Sequence, residues 1–303
     1  MNKNFIRVCY EKFDSARLFT SAPMRFHTTF RIGGPADLLF YPENTEEVQK
    51  IIQIAKKYGE PITFLGNGSN ILVRDGGIRG LVIRFSHQMG WISREGTDLI
   101  VGAGASLRKI AVFAQKNSLS GLEFACGIPG SVGGAVFMNA GAYDDEIKSV
   151  IVSVKTVSLD GDIRVYTSDE LDFGYRHSTF HNCEEAICEA RLRLYEEDAS
   201  FILQKMEDLN HRRASKQPLN YPSAGSTFKR PSGYFAGTLI DQTGLKGFTI
   251  GGAQVSQKHA GFIINIGSAT ANDVLQLISV IQKQVYAKHQ VELLPELRII
   301  GEP

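Results

Sequence analysis

The residues of this sequence that most clearly suggest a ligand site are its glycines. Half of the 30 glycines lie in the segment from Gly66 to Gly141, and this segment is only about a quarter of the chain. Glycine lets backbone N–H groups approach a ligand closely and adopts positive φ without a steric penalty, so glycine-rich turns at strand ends suit phosphate groups. A turn-rich β domain would have the same composition. The clustering therefore indicates a nucleotide site only if specific motifs support it.

Basic side chains form a second candidate for anion binding. Residues 205–230 carry a net charge of +4, from Glu207 and Asp208 against Lys205, Arg212, Arg213, Lys216, Lys229 and Arg230. A solvated helix face gives the same pattern. The whole chain has a net charge of only +1, which provides no field for DNA, RNA or an anionic membrane. We therefore expect small anionic ligands and no nucleic-acid partner.

The general ligand motifs are incomplete. Gly66-x-Gly68 and Gly102-x-Gly104 lack the third glycine of the dinucleotide fingerprint, so a Rossmann-type nucleotide site is the second choice. The P-loop, H-E-x-x-H and G-x-S-x-G motifs do not occur. His177, His181 and Cys183 have a spacing that could bind a metal, but polar surface residues in a connection are more typical of it. We predict no metal site.

Periodic segments indicate the elements that must position these residues. A strand at 36–41, a helix capped by Asn44 or Thr45 and a strand at 62–65 would place residues 66–70 at a strand end. A further strand at 99–103 precedes a helix capped by Ser106. Alternating residues predict a β-hairpin at 152–166. Helices at 200–215 and around 274–285, and a strand at 291–300, complete the prediction.

Length and composition predict a folded protein of about two domains. The chain has 303 residues, of which 43% are hydrophobic and 21% charged. The four cysteines, Cys9, Cys126, Cys183 and Cys188, are too few and too irregularly spaced for a disulfide framework. No apolar run is long enough to span a membrane, and the polar N-terminal residues lack a signal-peptide core. We therefore expect a cytoplasmic protein without membrane insertion.

Six separate motifs in one order carry a resemblance. The sequence resembles the UDP-N-acetylenolpyruvoylglucosamine reductase family of bacterial cell-wall synthesis, in its shorter form, at residues 27–36, 66–70, 127–142, 174–178, 224–229 and 294–298. The resemblance covers nearly the whole chain. It departs from the family pattern at His27, at Cys126 and at the pair Asp144 and Asp145, which bear on FAD contacts and are not among the expected catalytic positions.

The resemblance implies an α+β fold of the vanillyl-alcohol-oxidase type. It has two FAD-binding subdomains and a third, α+β, substrate-binding domain. We expect an N-terminal extension at 1–27, the FAD-binding region at 28–196, the substrate-binding domain at 200–293, and a C-terminal strand at 294–303 that returns to the active site. The chain is expected to be a monomer.

The resemblance also implies that FAD is bound non-covalently and that NADPH is the co-substrate. Residues 66–70 would wrap the pyrophosphate, and two later segments would line the flavin. The expected FAD contacts are Gly66, Asn67, Gly68, Ser69, Asn70, Gly127, Ile128, Pro129, Gly130, Ser131, Gly133, Gly134, Ala135, Asn139, Ala140, Gly141, Ala142 and Tyr143. A covalent bond from Cys126 to the flavin is conceivable, but a buried thiol is the expected state.

The family reaction reduces UDP-N-acetylglucosamine enolpyruvate to UDP-N-acetylmuramate. Hydride passes from flavin N5 to enolpyruvyl C3, and C2 then needs a proton. By resemblance Arg176 stabilises charge on the carboxylate, Glu296 assists there, and Ser226 donates the proton. Weaker candidates for substrate contacts are Tyr175, Arg213, Lys229 and Arg298.

Two other functions stay open. The same fold could serve an FAD-linked oxidase or dehydrogenase of another small molecule, which would not need Arg176, Ser226 and Glu296 together. A non-enzymatic nucleotide-binding module is the third possibility. Without the resemblance, each of the three residues would be interpreted as an ordinary surface or turn residue.

Overall fold

The computed structural model describes all 303 residues, Met1–Pro303. The seven α-helices are α1 Lys3–Lys12, α2 Thr45–Tyr58, α3 Leu107–Lys116, α4 Val132–Met138, α5 Ala199–Lys216, α6 Ala236–Gln242 and α7 Ala271–His289. The strands are β1 Leu18–Pro23, β2 Pro35–Phe40, β3 Ile62–Leu65, β4 Ile71–Val73, β5 Ile78–Arg84, β6 Ile92–Glu95, β7 Asp98–Gly102, β8 Leu119–Ser120, β9 Gly141–Ala142, β10 Asp145–Glu146, β11 Ile151–Ser158, β12 Ile163–Thr167, β13 Glu185–Arg193, β14 Tyr195–Glu196, β15 Thr249–Ile250, β16 Ala253–Val255, β17 Ile263–Asn265 and β18 Arg298–Ile300.

The chain divides into two compact units. Unit 1 comprises Met1–Thr20, Leu38–Asn67 and Gly80–Arg213, and unit 2 comprises Ser21–Asp37, Gly68–Arg79 and Ala214–Pro303. These are packing units, and the four functional regions expected from the resemblance stay a prediction. No helix has the length and hydropathy needed to cross a membrane.

Unit 1 is built on a five-stranded sheet in the order β12-β11-β13-β7-β6. Each neighbouring pair in this sheet is antiparallel. Most residues of a second sheet, in the order β1-β2-β5-β3, also belong to this unit. The apolar face of α2 contributes Val48, Ile51, Ile52 and Ala55 to the core, all fully buried. This periodicity was the signal that predicted the helix.

Unit 2 has its own core around α7. Val274, Leu277, Ile281 and Val285 of this helix are fully buried in a cluster that also contains Phe228. A three-stranded antiparallel sheet, β15-β16-β17, and a parallel pair, β4 and β18, complete the unit. Thr270 caps the start of α7, where its hydroxyl accepts a hydrogen bond from Asp273 N at 3.1 Å.

Most predicted elements are confirmed within one or two residues at their ends, and α7 is longer than predicted by three residues at its start and four at its end. The Asn44 side chain caps α2 by accepting from Glu47 N at 2.8 Å, and Gly59 ends that helix in the left-handed conformation. The Ser106 cap of α3, the β11–β12 hairpin and helices α5 and α7 are also confirmed.

The expected C-terminal strand was wrong in extent. The strand expected at 291–300, and at 294–303 in the domain division, is limited to Arg298–Ile300. Pro295 has no N–H, and its neighbours pair instead with residues 227–229 as an isolated bridge. In the segment 127–135, which was expected to line the flavin, Val132 begins helix α4 because Ser131 caps it.

Candidate active site

The segment 127–143 in unit 1 is a loop, a short helix and a turn. The N–H groups of Gly127, Gly130 and Ser131 donate no hydrogen bond within the protein. Gly66 lies against this segment, since a Cβ on it would be 2.2 Å from the Ser131 hydroxyl oxygen. The Asn67 amide donates to the carbonyl of Pro129 at 3.3 Å. The structure therefore brings Gly66 and Asn67 to the loop that was predicted to line a flavin.

Arg176 lies at the tip of a tight turn in the same unit. Gly174 and His177 close this turn through reciprocal backbone hydrogen bonds of 3.1 and 3.2 Å. Arg176 has a φ of +53°, a conformation that costs a non-glycine residue about 1–3 kcal/mol and persists only where the surroundings enforce it. Its guanidinium donates to the carbonyl of Gly141 at 3.2 Å and lies 5.1 Å from the centroid of the exposed Tyr175 ring. The turn thus presents the partly buried guanidinium beside residues 139–143.

Arg213 approaches the other end of this segment. Its side-chain Cδ lies 3.0 Å from the position that a Cβ on Gly127 would occupy. Burial lowers the pKa of the Arg213 guanidinium, and Tyr143 and Cys126 are the groups that oppose this shift. The Arg213 side chain makes no hydrogen bond or ion pair within the protein. Arg213 is partly buried, and a partly buried guanidinium without an acceptor suits an anionic ligand.

Cys126 is a buried thiol with partners of its own. It is 4% exposed and lies 3.4 Å from Asn210 Oδ1 and 3.7 Å from the carbonyl of Met206. Burial raises the pKa of this thiol, which disfavours the nucleophilic thiolate. The geometry favours the structural role over a bond to a flavin.

The segment 66–70 was predicted to wrap a pyrophosphate, and its last three residues, Gly68, Ser69 and Asn70, belong to unit 2. None of their three N–H groups donates a hydrogen bond within the protein. Gly68 has a φ of +64°, and a Cβ there would lie 2.4 Å from the carbonyl oxygen of His27. Only glycine fits this position. Three adjacent N–H groups without acceptors fit the pyrophosphate of a dinucleotide such as FAD.

Ser226 and Glu296 lie on adjacent backbones in unit 2. Glu296 N donates to the carbonyl of Thr227 at 2.8 Å, and Lys229 N donates to that of Leu294 at 2.8 Å. The Asn70 amide donates to the carbonyl of Glu296 at 3.3 Å, which ties the turn at 68–70 to this pair of segments. The Ser226 hydroxyl has only a long contact of 3.5 Å, to the carbonyl of Phe228. This partly buried hydroxyl therefore retains its capacity to donate.

The other predicted residues take peripheral places. Tyr175 is 50% exposed. Arg298 is an exposed residue at the start of β18, and its N–H donates to the carbonyl of Asn70 at 2.9 Å. Gly133 packs inside unit 1, where its N–H donates to the carbonyl of Ala103 at 2.9 Å. It therefore holds the segment 127–135 against the core of the unit.

The possible metal site at His177, His181 and Cys183 is used for packing. The His181 ring stacks on Phe137 with centroids 4.2 Å apart, and its Nδ1 accepts from Ser178 N at 3.4 Å. The thiol of Cys183 donates to the carbonyl of Thr179 at 3.5 Å. No group of three or more His, Cys, Asp or Glu side chains is arranged to hold a metal ion.

The sequence did not reveal how two side chains support the site. Asn139 was expected to line the flavin, but its fully buried amide donates to Gly174 O at 3.0 Å and to Glu146 Oε2. The Thr29 hydroxyl donates to the carbonyl of Ser223 at 2.7 Å, close to Ser226 in the chain. The one local signal for Asn139 was its position at the end of a helix, where asparagine is favoured in the left-handed conformation.

Comparison with family models gives two matches that together cover most of the chain. Residues 36–167 match an FAD binding domain. Residues 217–300 match the C-terminal domain of UDP-N-acetylenolpyruvoylglucosamine reductase. The predicted α+β FAD-binding fold is confirmed.

Individual relatives agree with these matches. UDP-N-acetylenolpyruvoylglucosamine reductase of Clostridium botulinum is 51% identical over 300 residues, which are 99% of this chain and 98% of that protein. The Clostridium perfringens enzyme of the same name is 50% identical over 297 residues, 98% of this chain and 97% of that protein. The crystal structure of the reductase from Thermus caldophilus has a TM-score of 0.80 and 36% identity, and the match covers 94% of this chain and 98% of that one.

Proposed function

Because this chain belongs to the UDP-N-acetylenolpyruvoylglucosamine reductase family, we propose that it reduces UDP-N-acetylglucosamine enolpyruvate to UDP-N-acetylmuramate in peptidoglycan precursor synthesis. It is an oxidoreductase that uses FAD, with NADPH as the reductant. The observation that carries the proposal is the set of unpaired donors at the motif residues. These are the N–H groups of Gly68, Ser69 and Asn70. The Arg213 guanidinium, which lies outside the motifs, is a further unpaired donor beside Gly127.

The chemistry that bound FAD would supply is transfer of hydride, taken from NADPH, to the terminal carbon of the enolpyruvyl group. The N–H groups of residues 68–70 would hold the pyrophosphate, and those of Gly127, Gly130 and Ser131 would face the isoalloxazine or its ribityl chain. Binding is non-covalent in this proposal, because the Cys126 thiol is buried and engaged with Asn210.

Arg176 binds the substrate carboxylate. A guanidinium keeps its charge at all working pH values and can make two parallel hydrogen bonds to a carboxylate. It stabilises the negative charge that builds on that group as hydride arrives at the far end of the double bond. The strained turn at Arg176 supports this role, because strain of this kind is retained where a side chain must be held in one direction.

Ser226 holds the proton for C2, and Glu296 assists at the carboxylate. The Ser226 hydroxyl has only a long internal contact, so it can donate to a substrate carbon. The backbone bond between Glu296 and Thr227 places the two side chains on neighbouring segments. Tyr175, Arg213, Lys229 and Arg298 are proposed as weaker contacts to the phosphates or carboxylate of the substrate, with Arg213 the best supported.

The test is an anaerobic titration of the purified protein. We expect a yellow protein whose flavin absorbance is bleached by NADPH and restored by UDP-N-acetylglucosamine enolpyruvate. A protein without flavin absorbance would point to the non-enzymatic nucleotide-binding module. A flavin that NADPH reduces but this substrate does not reoxidise would support an oxidase or dehydrogenase of another small molecule.

We also propose that the enzyme acts as a monomer in the cytoplasm. The four cysteines are all free, which fits a reducing compartment. Light scattering on a size-exclusion column would measure the mass, and a value near twice 33.4 kDa would contradict the monomer.

A further inference from the structure

The carbonyl of Gly174 receives two hydrogen bonds. One comes from His177 N at 3.2 Å and closes the turn that carries Arg176. The other comes from the side-chain amide of Asn139 at 3.0 Å. A carbonyl oxygen has two lone pairs, so both bonds can form at once. The Asn139 amide, which lies outside the turn, therefore holds the same Gly174 carbonyl oxygen that closes the turn.

The Asn139 side chain is itself fixed. Its second N–H donates to Glu146 Oε2, and its Oδ1 accepts from Lys148 N at 3.1 Å. Asn139 is 0% exposed and ends α4 with a φ of +42°. Both amide hydrogens and one acceptor position are thus occupied by protein groups. The amide cannot rotate toward a ligand without breaking buried hydrogen bonds.

Two further contacts hold the same turn against the same segment. The Arg176 guanidinium donates to Gly141 O at 3.2 Å, two residues after Asn139. On the other side of the turn, the buried Ser178 hydroxyl donates to Phe137 O at 2.7 Å, two residues before Asn139. Asn139 is central among the three and is the only one that binds the turn's backbone from a rigid, fully buried side chain.

We propose that Asn139 is a positioning residue for Arg176: its amide holds the Gly174 carbonyl and so fixes the strained turn that directs the guanidinium. This inference rests on the proposed role of Arg176 at the substrate carboxylate. Without the hydrogen bond from Asn139 to Gly174 O, the turn relaxes toward negative φ at Arg176. The guanidinium then loses the orientation in which it binds the substrate carboxylate. A displacement of about 1 Å in a catalytic group can reduce the rate about 100-fold.

The experiment uses Asn139→Gly in the FAD-loaded enzyme and measures the two half-reactions separately. Glycine keeps the left-handed backbone at position 139 and removes only the side chain. We expect reoxidation by the enolpyruvyl substrate to slow about 10- to 100-fold, with flavin reduction by NADPH changed less than about 3-fold. The matched control is Asn117→Gly at the end of α3, where the amide binds Phe113 O at 2.8 Å and does not touch the turn. This variant should keep both rates.

A double-mutant cycle decides whether Asn139 acts through Arg176. In an Arg176→Ala background, Asn139→Gly should slow reoxidation less than about 3-fold further, because no guanidinium remains to be positioned. Equal slowing of both half-reactions, the same factor in both backgrounds, or an unchanged reoxidation rate would each overturn the inference. If Asn139→Gly does not fold, Asn139→Asp is measured instead, since it keeps the side-chain volume and loses the donor. A wrong assignment of Arg176 to the substrate carboxylate would be detected separately, because the flavin of Arg176→Ala alone would then be reoxidised at the wild-type rate. That result would overturn both the role of Arg176 and the positioning role of Asn139.

Discussion

The two units hold their proposed catalytic residues by different means. In unit 1, Arg176 lies on a strained turn that side chains fix, through Asn139 and Ser178. In unit 2, Ser226 and Glu296 lie on segments joined by backbone hydrogen bonds between Thr227 and Glu296 and between Lys229 and Leu294. Side-chain anchors can be removed one at a time, whereas a backbone pair survives most substitutions. Unit 1 should therefore contain residues that never touch the ligand and whose substitution still slows the reaction. In unit 2 the Asn70 amide adds one side-chain bond, to the Glu296 carbonyl, but the backbone pairing dominates, so substitutions of the reacting groups should have the largest effects.

The largest expected effect is that of Ser226→Ala. The backbone pairing remains, so the variant removes only the proton source, and reoxidation by the enolpyruvyl substrate should fall about 10²- to 10⁴-fold. Flavin reduction by NADPH should persist. Stopped-flow absorbance of the flavin follows both steps. Ser223→Ala is the control, because only the carbonyl of Ser223 is used, by Thr29. If both half-reactions slowed equally, Ser226 would be structural, and the contrast between the units would fail.

A smaller effect is expected for Gly68→Ala, compared with Gly59→Ala. Both glycines have positive φ, +64° and +67°. A Cβ on Gly59 meets nothing within 4 Å, so alanine there should cost only the backbone penalty of about 1–2 kcal/mol. A Cβ on Gly68 would lie 2.4 Å from the carbonyl of His27, so the turn must shift and its N–H groups lose their common direction.

Thermal unfolding and the flavin content after gel filtration measure the difference between these two glycine variants. Gly59→Ala should lower stability and keep its FAD, whereas Gly68→Ala should lose FAD as well. Full flavin content in Gly68→Ala would show that the turn at 68–70 does not hold the cofactor.

The smallest expected effect concerns two carboxylates. Arg193 and then Arg191 hold the pKa of Asp98 in unit 1 below its usual range by side-chain hydrogen bonds. In unit 2, the backbone N–H of Thr270, opposed by burial and aided by that of Gly252, lowers the pKa of Asp273. Asp98→Asn should cost about 1–2 kcal/mol at pH 7, since the partner arginines are partly exposed.

The pH dependence of this effect has a definite sign. A carboxylate with a lowered folded pKa stabilises the protein above its unfolded pKa of about 3.9 and loses that contribution as pH falls through the folded value. The difference between wild type and Asp98→Asn should therefore shrink below about pH 4. Urea unfolding at pH 7 and pH 3 measures it, and 1 M salt should weaken the Asp98 contribution more than that of Asp273. Equal salt dependence would remove this part of the comparison.

Local signals predicted the elements well. The cap at Asn44, the stop at Gly59 and the apolar face of α2 all belong to one short window, and the helix formed where they indicated. The glycine turn at 66–70 was also predictable, since a strand leads directly into it.

Contacts between distant segments were not predictable from such windows. Asn139 is 35 residues from Gly174, and no local pattern shows that its amide points at that carbonyl rather than at a ligand. The C-terminal strand was overestimated because its apolar residues alternate, while the missing N–H of Pro295 limited the pairing to a bridge. The reaction itself came from the ordered match of motifs, since each residue alone has an ordinary structural explanation.

The burial of the thiols has a practical consequence for spectroscopy. Cys9 and Cys188 are fully buried, and burial raises the pKa of each to about 12. Cys126 is buried as well, so Cys183 is the one cysteine with partial access to solvent. It lies seven residues beyond Arg176, just after the 3₁₀ helix Thr179–His181. Cys183 is therefore the one natural cysteine suited to a fluorescent or spin label, and it lies close in sequence to the turn that carries Arg176.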